Sequence, residues 1–215
     1  MKKANKTMVI TTILCLLPIL LGVLLYPKLP DQVPAQWGSD GQVNWYQPKA
    51  MAVFGMPAFL AIINLVVHIG VNNDPKRANA SRMLKNIGFW ICPIISLIFV
   101  PISLFASMGM EVHVAFWTPL FVGVLLIIIG NYLPKCKQSY TVGIRLPWTL
   151  DNETNWNKTH HFAGYLWIIG GIITIISSFF SFWPAIFLVI LLIVLIPIVY
   201  SFVLYKRGNQ IGKTK

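Results

Sequence analysis

Residues 130–171 read GNYLPKCKQSYTVGIRLPWTLDNETNWNKTHHFAGYLWIIGG, the longest polar interruption in an otherwise apolar chain, and its reading decides the fold. The apolar run before it ends at 131–133, and Pro134 cannot continue a helix. A loop punctuated by glycine and proline follows and carries Arg145 and Trp148. Asp151 is placed to cap a new helix, with Glu153 in the first turn against the positive end of its dipole. Beyond it Trp156, His160, Ala163 and Trp167 recur at spacings of four, three and four, so they share one helical face. An arginine just upstream of a Trp/His face that leads into an apolar run is a candidate site, and the rest of the chain reads as scaffold around it.

Only 11% of the 215 residues are charged and the mean hydropathy is +0.70, which excludes an ordinary soluble domain. Six apolar runs, at 8–26, 50–71, 88–108, 113–133, 162–180 and 183–205, each match the ~20 residues that cross a hydrocarbon core. Their internal prolines are tolerated where neighbours satisfy the freed carbonyls. A net charge of +11 invites a nucleic-acid reading, but 15 of the 17 basic residues fall on one side of the alternating spans, and only Lys28 and Lys49 on the other. The positive-inside rule then predicts an all-α integral membrane protein of the cell membrane, with six transmembrane helices, both termini cytoplasmic and no direct nucleic-acid partner. The organisation expected is a two-span unit over 1–72 with a long extracellular loop at 27–49, a cytoplasmic connector and third span over 73–112, and a three-span unit over 113–215 whose cytoplasmic motif loop covers 134–160. The N-terminal lysines and apolar run resemble a signal peptide, but the run is too long and Tyr-Pro-Lys-Leu-Pro offers no small-residue cleavage site, so it reads as a retained first span. Cys15 and Cys92 fall inside spans and Cys136 in an inner loop, so no disulfide is expected.

The outer loop carries four prolines (Pro27, Pro30, Pro34, Pro48) that keep it extended, a turn signal at Ser39-Asp40-Gly41, and Trp37, Trp45 and Tyr46 suited to the headgroup level. Within span two, Asn64 and His68 lie four apart near the inner end; His68 is expected to be shallow enough to reach the interface, in a structural role. Glu111 and His113 read as a solvated pair in a short outer turn. Small residues on span five (Ala163, Gly164, Gly170, Gly171) allow close helix contact. No zinc-protease, nucleophile-elbow or phosphate-loop pattern is present, the carboxylates are few and scattered, and His160 and His161 point about 100° apart on a helix. Neither an enzyme, a metal site nor a cofactor is expected.

The blocks GNYLPK, VGIRLPWTL and Trp156-x-Lys-Thr-His160, followed by Gly164, resemble the C-terminal signature of the SdpI family of immunity membrane proteins. The outer loop LPDQVPAQWGSDGQVNWYQPK resembles the domain of unknown function that often precedes that signature. The resemblance implies protection against a secreted membrane-active peptide toxin of the sporulation-delaying type, and signalling by holding a transcriptional repressor at the membrane. It implies partner-binding roles for Asn131, Gly143, Arg145, Pro147, Trp148, Thr149, Trp156, Thr159, His160 and Gly164, and for Pro34, Gln36, Trp37, Gly41, Asn44 and Lys49 in the outer loop. The chain departs from the family pattern at Ser139 (commonly asparagine) and Leu146 (commonly threonine). It departs again at Gln36 (often histidine) and Asn44 (often aspartate), which removes a titratable group and a charge from the outer loop.

The expected function is therefore that of a bacterial toxin-immunity protein, meeting its toxin outside and a repressor inside. Two other readings fit the sequence. A possible inverted repeat, with Asn64 and His68 inside the membrane, fits a small transporter. Arg145, His160 and Asn131 fit an enzyme acting on lipid headgroups.

Overall fold

The computed structural model describes residues 6–38, 41–76, 82–180 and 183–211, the last four of these by backbone alone. Six helical segments are long and apolar enough to cross a membrane: Lys6–Lys28, Met51–Asn73, Arg82–Ser107, Val114–Lys135, Glu153–Phe179 and Trp183–Arg207. These are the six expected runs. The fifth helix begins nine residues before its expected apolar run, since the polar turns from Glu153 onward are already helical. Large apolar side chains such as Leu24, Phe59, Trp117 and Phe187 are exposed along these segments, as lipid-facing surfaces must be.

The chain divides into two compact units. The first comprises Met1–Asn72 and Asn86–Ala115. Span one is α1 (Lys6–Leu16) and α2 (Pro18–Leu25), separated at Leu17 because Pro18 lacks an N–H. The loop at 29–49 is not merely extended: β1 (Gln32–Trp37) and β2 (Val43–Pro48) pair antiparallel. The ladder is irregular between Pro34 and Trp37, where a proline cannot donate. Residues 39–40 of the expected turn lie outside the described residues, but Gly38 N–H bonds Gln42 O at 2.7 Å and Gly41 has φ +77°, the left-handed backbone that favours glycine. Lys49 pairs with Asp31 at 2.9 Å across the base of the hairpin, and the Ser103 hydroxyl donates to Pro34 O. Span two opens with a π turn at Met51–Gly55 and continues as α3 (Met56–Asn73). Span three is α4 (Arg82–Ser107). Leu29, Val33, Val53, Val100 and Leu104 form the apolar core beneath the hairpin.

The second unit comprises Asn73–Lys85 and Phe116–Lys215. It holds α5 (Val114–Tyr132), a short α6 (Pro147–Asp151), α7 (Glu153–Phe179) and α8 (Trp183–Ile211). Helices α5 and α7 meet backbone to backbone at two glycine pairs. A Cβ on Gly130 would fall 2.8 Å from Gly164 O, and one on Gly123 would fall 2.8 Å from Gly171 O. Only glycine permits that approach. Trp167 N–H donates to Ile193 O at 3.1 Å and joins α7 to α8.

Candidate functional site

The start of α7 is fixed by Asn152, whose Oδ1 accepts the Asn155 N–H at 2.9 Å. Asp151, the expected cap, instead closes α6. Proline at the first position of that short helix, with Thr149 Oγ1 accepting the Leu146 N–H at 2.9 Å, makes a separate turn of helix that shifts the cap by one residue. Glu153 occupies the first turn as expected.

On the buried face of α7, Trp156 and His160 stack with centroids 4.0 Å apart, and both are fully buried. The Trp156 N–H donates to Cys136 O at 2.7 Å. His160 Nε2 lies 2.8 Å from the Ile144 N–H and Nδ1 lies 2.8 Å from Trp156 O. A backbone N–H can only donate, so Nε2 carries a lone pair and Nδ1 carries the proton. The ring is neutral and both nitrogens are committed. Gly143 makes this possible: its φ is +112°, and a Cβ there would lie 2.5 Å from His160 Nε2. Thr159 donates to Asn155 Oδ1 at 3.0 Å, and Asn155 Nδ2 donates to Ser201 O at 2.9 Å. Gly164 faces Gly130 and Pro134. With no lone pair to spare, His160 holds the loop; it is not arranged as a general base.

Asp74, not foreseen, clasps the same loop. Its Oδ2 accepts from Ser139 Oγ (2.7 Å), Tyr140 N (3.1 Å), Thr141 N (3.0 Å) and Thr141 Oγ1 (2.6 Å), and its Oδ1 accepts from Lys76 N (2.7 Å). Burial alone would raise this carboxyl; the bonds from Thr141, Ser139 and the two backbone N–H groups outweigh it and hold the pKa below the ordinary value. A carboxylate directly before Pro75 in a basic segment was the available signal. Its partners in the loop lie 65 to 67 residues away, which no local pattern reveals. Ser139, where the family commonly has asparagine, is part of this clasp.

The remaining motif residues lie at the surface of this core. Arg145 is exposed and donates Nη1 to Tyr140 O at 2.8 Å, which leaves donors of its five-donor fork for a partner. Trp148 stacks on Tyr205 and donates its N–H to Ser201 Oγ at 2.9 Å. Pro147 opens α6, and Asn131 is exposed on the last turn of α5.

In the first unit, Pro34 is buried, Gln36, Gly41 and Asn44 are exposed, and Trp37 and Lys49 are half-buried. Pro34, Trp37 and Gly41 line an open cavity of about 390 Å³ together with Met110, Glu111 and His113. His68 does not reach an interface. It is fully buried against Thr11 and Asn64, because Thr11 of span one meets it with a hydroxyl.

The SdpI/YfhL protein family matches residues 135–201, and a domain of unknown function (DUF1648) matches residues 13–61. The chain is 30% identical over 208 residues to the protein named Immunity protein SdpI of Bacillus subtilis (strain 168), covering 95% of this chain and 98% of that one. The chain belongs to the SdpI/YfhL family. Its six apolar helices, together with that membership, make it a multi-pass protein of the cell membrane. No solved structure matches it. Within this family member, the matched C-terminal region contains Gly143, Arg145, Trp148, Trp156 and His160, and the N-terminal match contains the hairpin.

Proposed function

We propose that this SdpI/YfhL member is an immunity protein that protects its cell from a secreted, membrane-active peptide. The observation that carries the reading is the likeness, over nearly the whole of both chains, to a protein named for immunity. The distribution of basic residues supports placing both termini and the 134–160 loop in the cytoplasm, and the hairpin outside. In that orientation the open cavity beneath the hairpin, with Trp37 and Met110 beside Glu111, gives an amphipathic peptide an apolar contact and a counter-charge.

The inner loop supports a second role, as a surface for a cytoplasmic partner such as a repressor. The clasp of Asp74 and the lock of His160 hold the backbone while Arg145 stays exposed, as do Lys135, Lys137 and Lys158. Rigid presentation of charged groups suits recognition of a partner.

Survival of a toxin-sensitive host expressing the chain tests the reading. The expected result is increased survival under the peptide. Unchanged survival, with normal amounts of protein in the membrane, would overturn it. Arg145→Ala is expected to leave survival intact and abolish partner recruitment. Labelling of an introduced cysteine at position 44 only from the cytoplasmic side would refute the orientation.

A further inference from the structure

Thr11, Asn64 and His68 join the first two spans through side chains that are fully buried. Thr11 Oγ1 lies 2.9 Å from Asn64 Oδ1 and 3.0 Å from His68 Nε2. Asn64 Nδ2 donates to Phe89 O of α4 at 2.9 Å, which fixes Oδ1 as the end of the amide facing Thr11. The hydroxyl has one proton. If it went to His68, two oxygen lone pairs would face each other across the Thr11–Asn64 contact. A carbonyl of the preceding turn would leave the same clash, so the proton goes to Asn64 Oδ1, and His68 donates through Nε2–H. Nδ1 is left with a lone pair that has no hydrogen-bond partner among the described residues, although it is buried.

We propose that His68 Nδ1 is a proton-binding site, and that its occupation releases span one from span two at the end that carries Lys6. Uptake forms one N–H bond with a proton from hydronium and yields an imidazolium. Nothing on the packed helices compensates that charge. Span one has Cys15, Tyr26, Lys6 and Lys28; span two has no other ionisable group; α4 has Cys92, Arg82 and Lys85. None of the three carries a carboxylate. Phe89, stacked at 4.0 Å, offers a cation–π contact that offsets only a small part of the lost hydration. The charged ring is stable only once it reaches water or headgroups, and leaving the node breaks the contact that ties α1 to α3. The ring in water accepts a proton near pH ~6.5, so the opening equilibrium grows about tenfold for each pH unit below that value.

The test uses the full chain in lipid nanodiscs, with deuterium exchange and nitrogen NMR of the histidine side chains between about pH 8 and about pH 5. At neutral pH the NMR is expected to show His68 protonated on Nε2 alone. The opening constant over 6–16 and 60–72, obtained by dividing each exchange rate by the intrinsic amide rate at that pH (which itself falls on acidification), is expected to rise about tenfold per unit below pH ~6.5, and His68→Gln, which keeps a donor toward Thr11, is expected to abolish the rise. A proton on Nδ1 at neutral pH, a flat opening constant in the wild type, or an unchanged rise in His68→Gln would each overturn the proposal. The NMR result decides the matter even if the variant fails to fold.

Discussion

His68 and His160 are the same side chain solved in two ways. Both are fully buried, and both stack on an aromatic ring at 4.0 Å. His160 spends each nitrogen on a backbone group, one on its own helix and one on the loop. His68 has one side-chain partner and an orphaned nitrogen. Backbone partners are positioned by a whole turn of helix or a glycine-shaped loop, whereas a threonine hydroxyl turns with a single rotamer. The difference marks the second unit as locked at this point and the first as able to open.

Gly143→Val should have the largest effect. The left-handed backbone and the collision with His160 together cost about 3 kcal/mol or more, read as a loss of protease-resistant protein in detergent. If the variant kept wild-type protection at the start of α7, the lock would not exist. His160→Gln removes one of two backbone bonds and the ring stack, a loss of about 2–3 kcal/mol. The corresponding change at His68 should cost about 1 kcal/mol, and equal losses in thermal unfolding would erase the contrast. Asp74→Asn should cost about 2 kcal/mol, seen as faster exchange over 139–146. Since the folded carboxyl lies below its ordinary value, the clasp is complete above pH ~3.9 and fails only as pH falls through the lower folded value. Protection of that loop should therefore stay flat over the range in which span one is expected to loosen. Trp148→Phe keeps the stacking and drops the bond to Ser201, for about 1 kcal/mol. Lys49→Ala, at an ion pair whose Asp31 partner is open to solvent, should be the mildest and should vanish in salt.

The spans were legible because lipid imposes one rule on every turn of helix, so apolar run length alone places them. Gly143, Trp156 and His160 were legible as a dense local motif. The hairpin was not. Pro34 and Pro48 correctly marked an extended chain, yet strand pairing depends on a partner that no single stretch declares. The cap at Asn152 was misplaced by one residue because a five-residue helix intervened. Asp74 and Thr11 stayed hidden for a common reason: each acts on groups more than fifty residues away.

The two glycine pairs of α5 and α7 are seven residues apart on each helix, about two turns. Two points of backbone contact on a common line restrict the motions that remain. Sliding one helix along the other would bring Ile127 or Ile168, both already beside these contacts, against a carbonyl oxygen. A signal crossing this half of the protein would then travel as a tilt of α5 and α7 together, and piston-like displacement of one against the other is sterically barred.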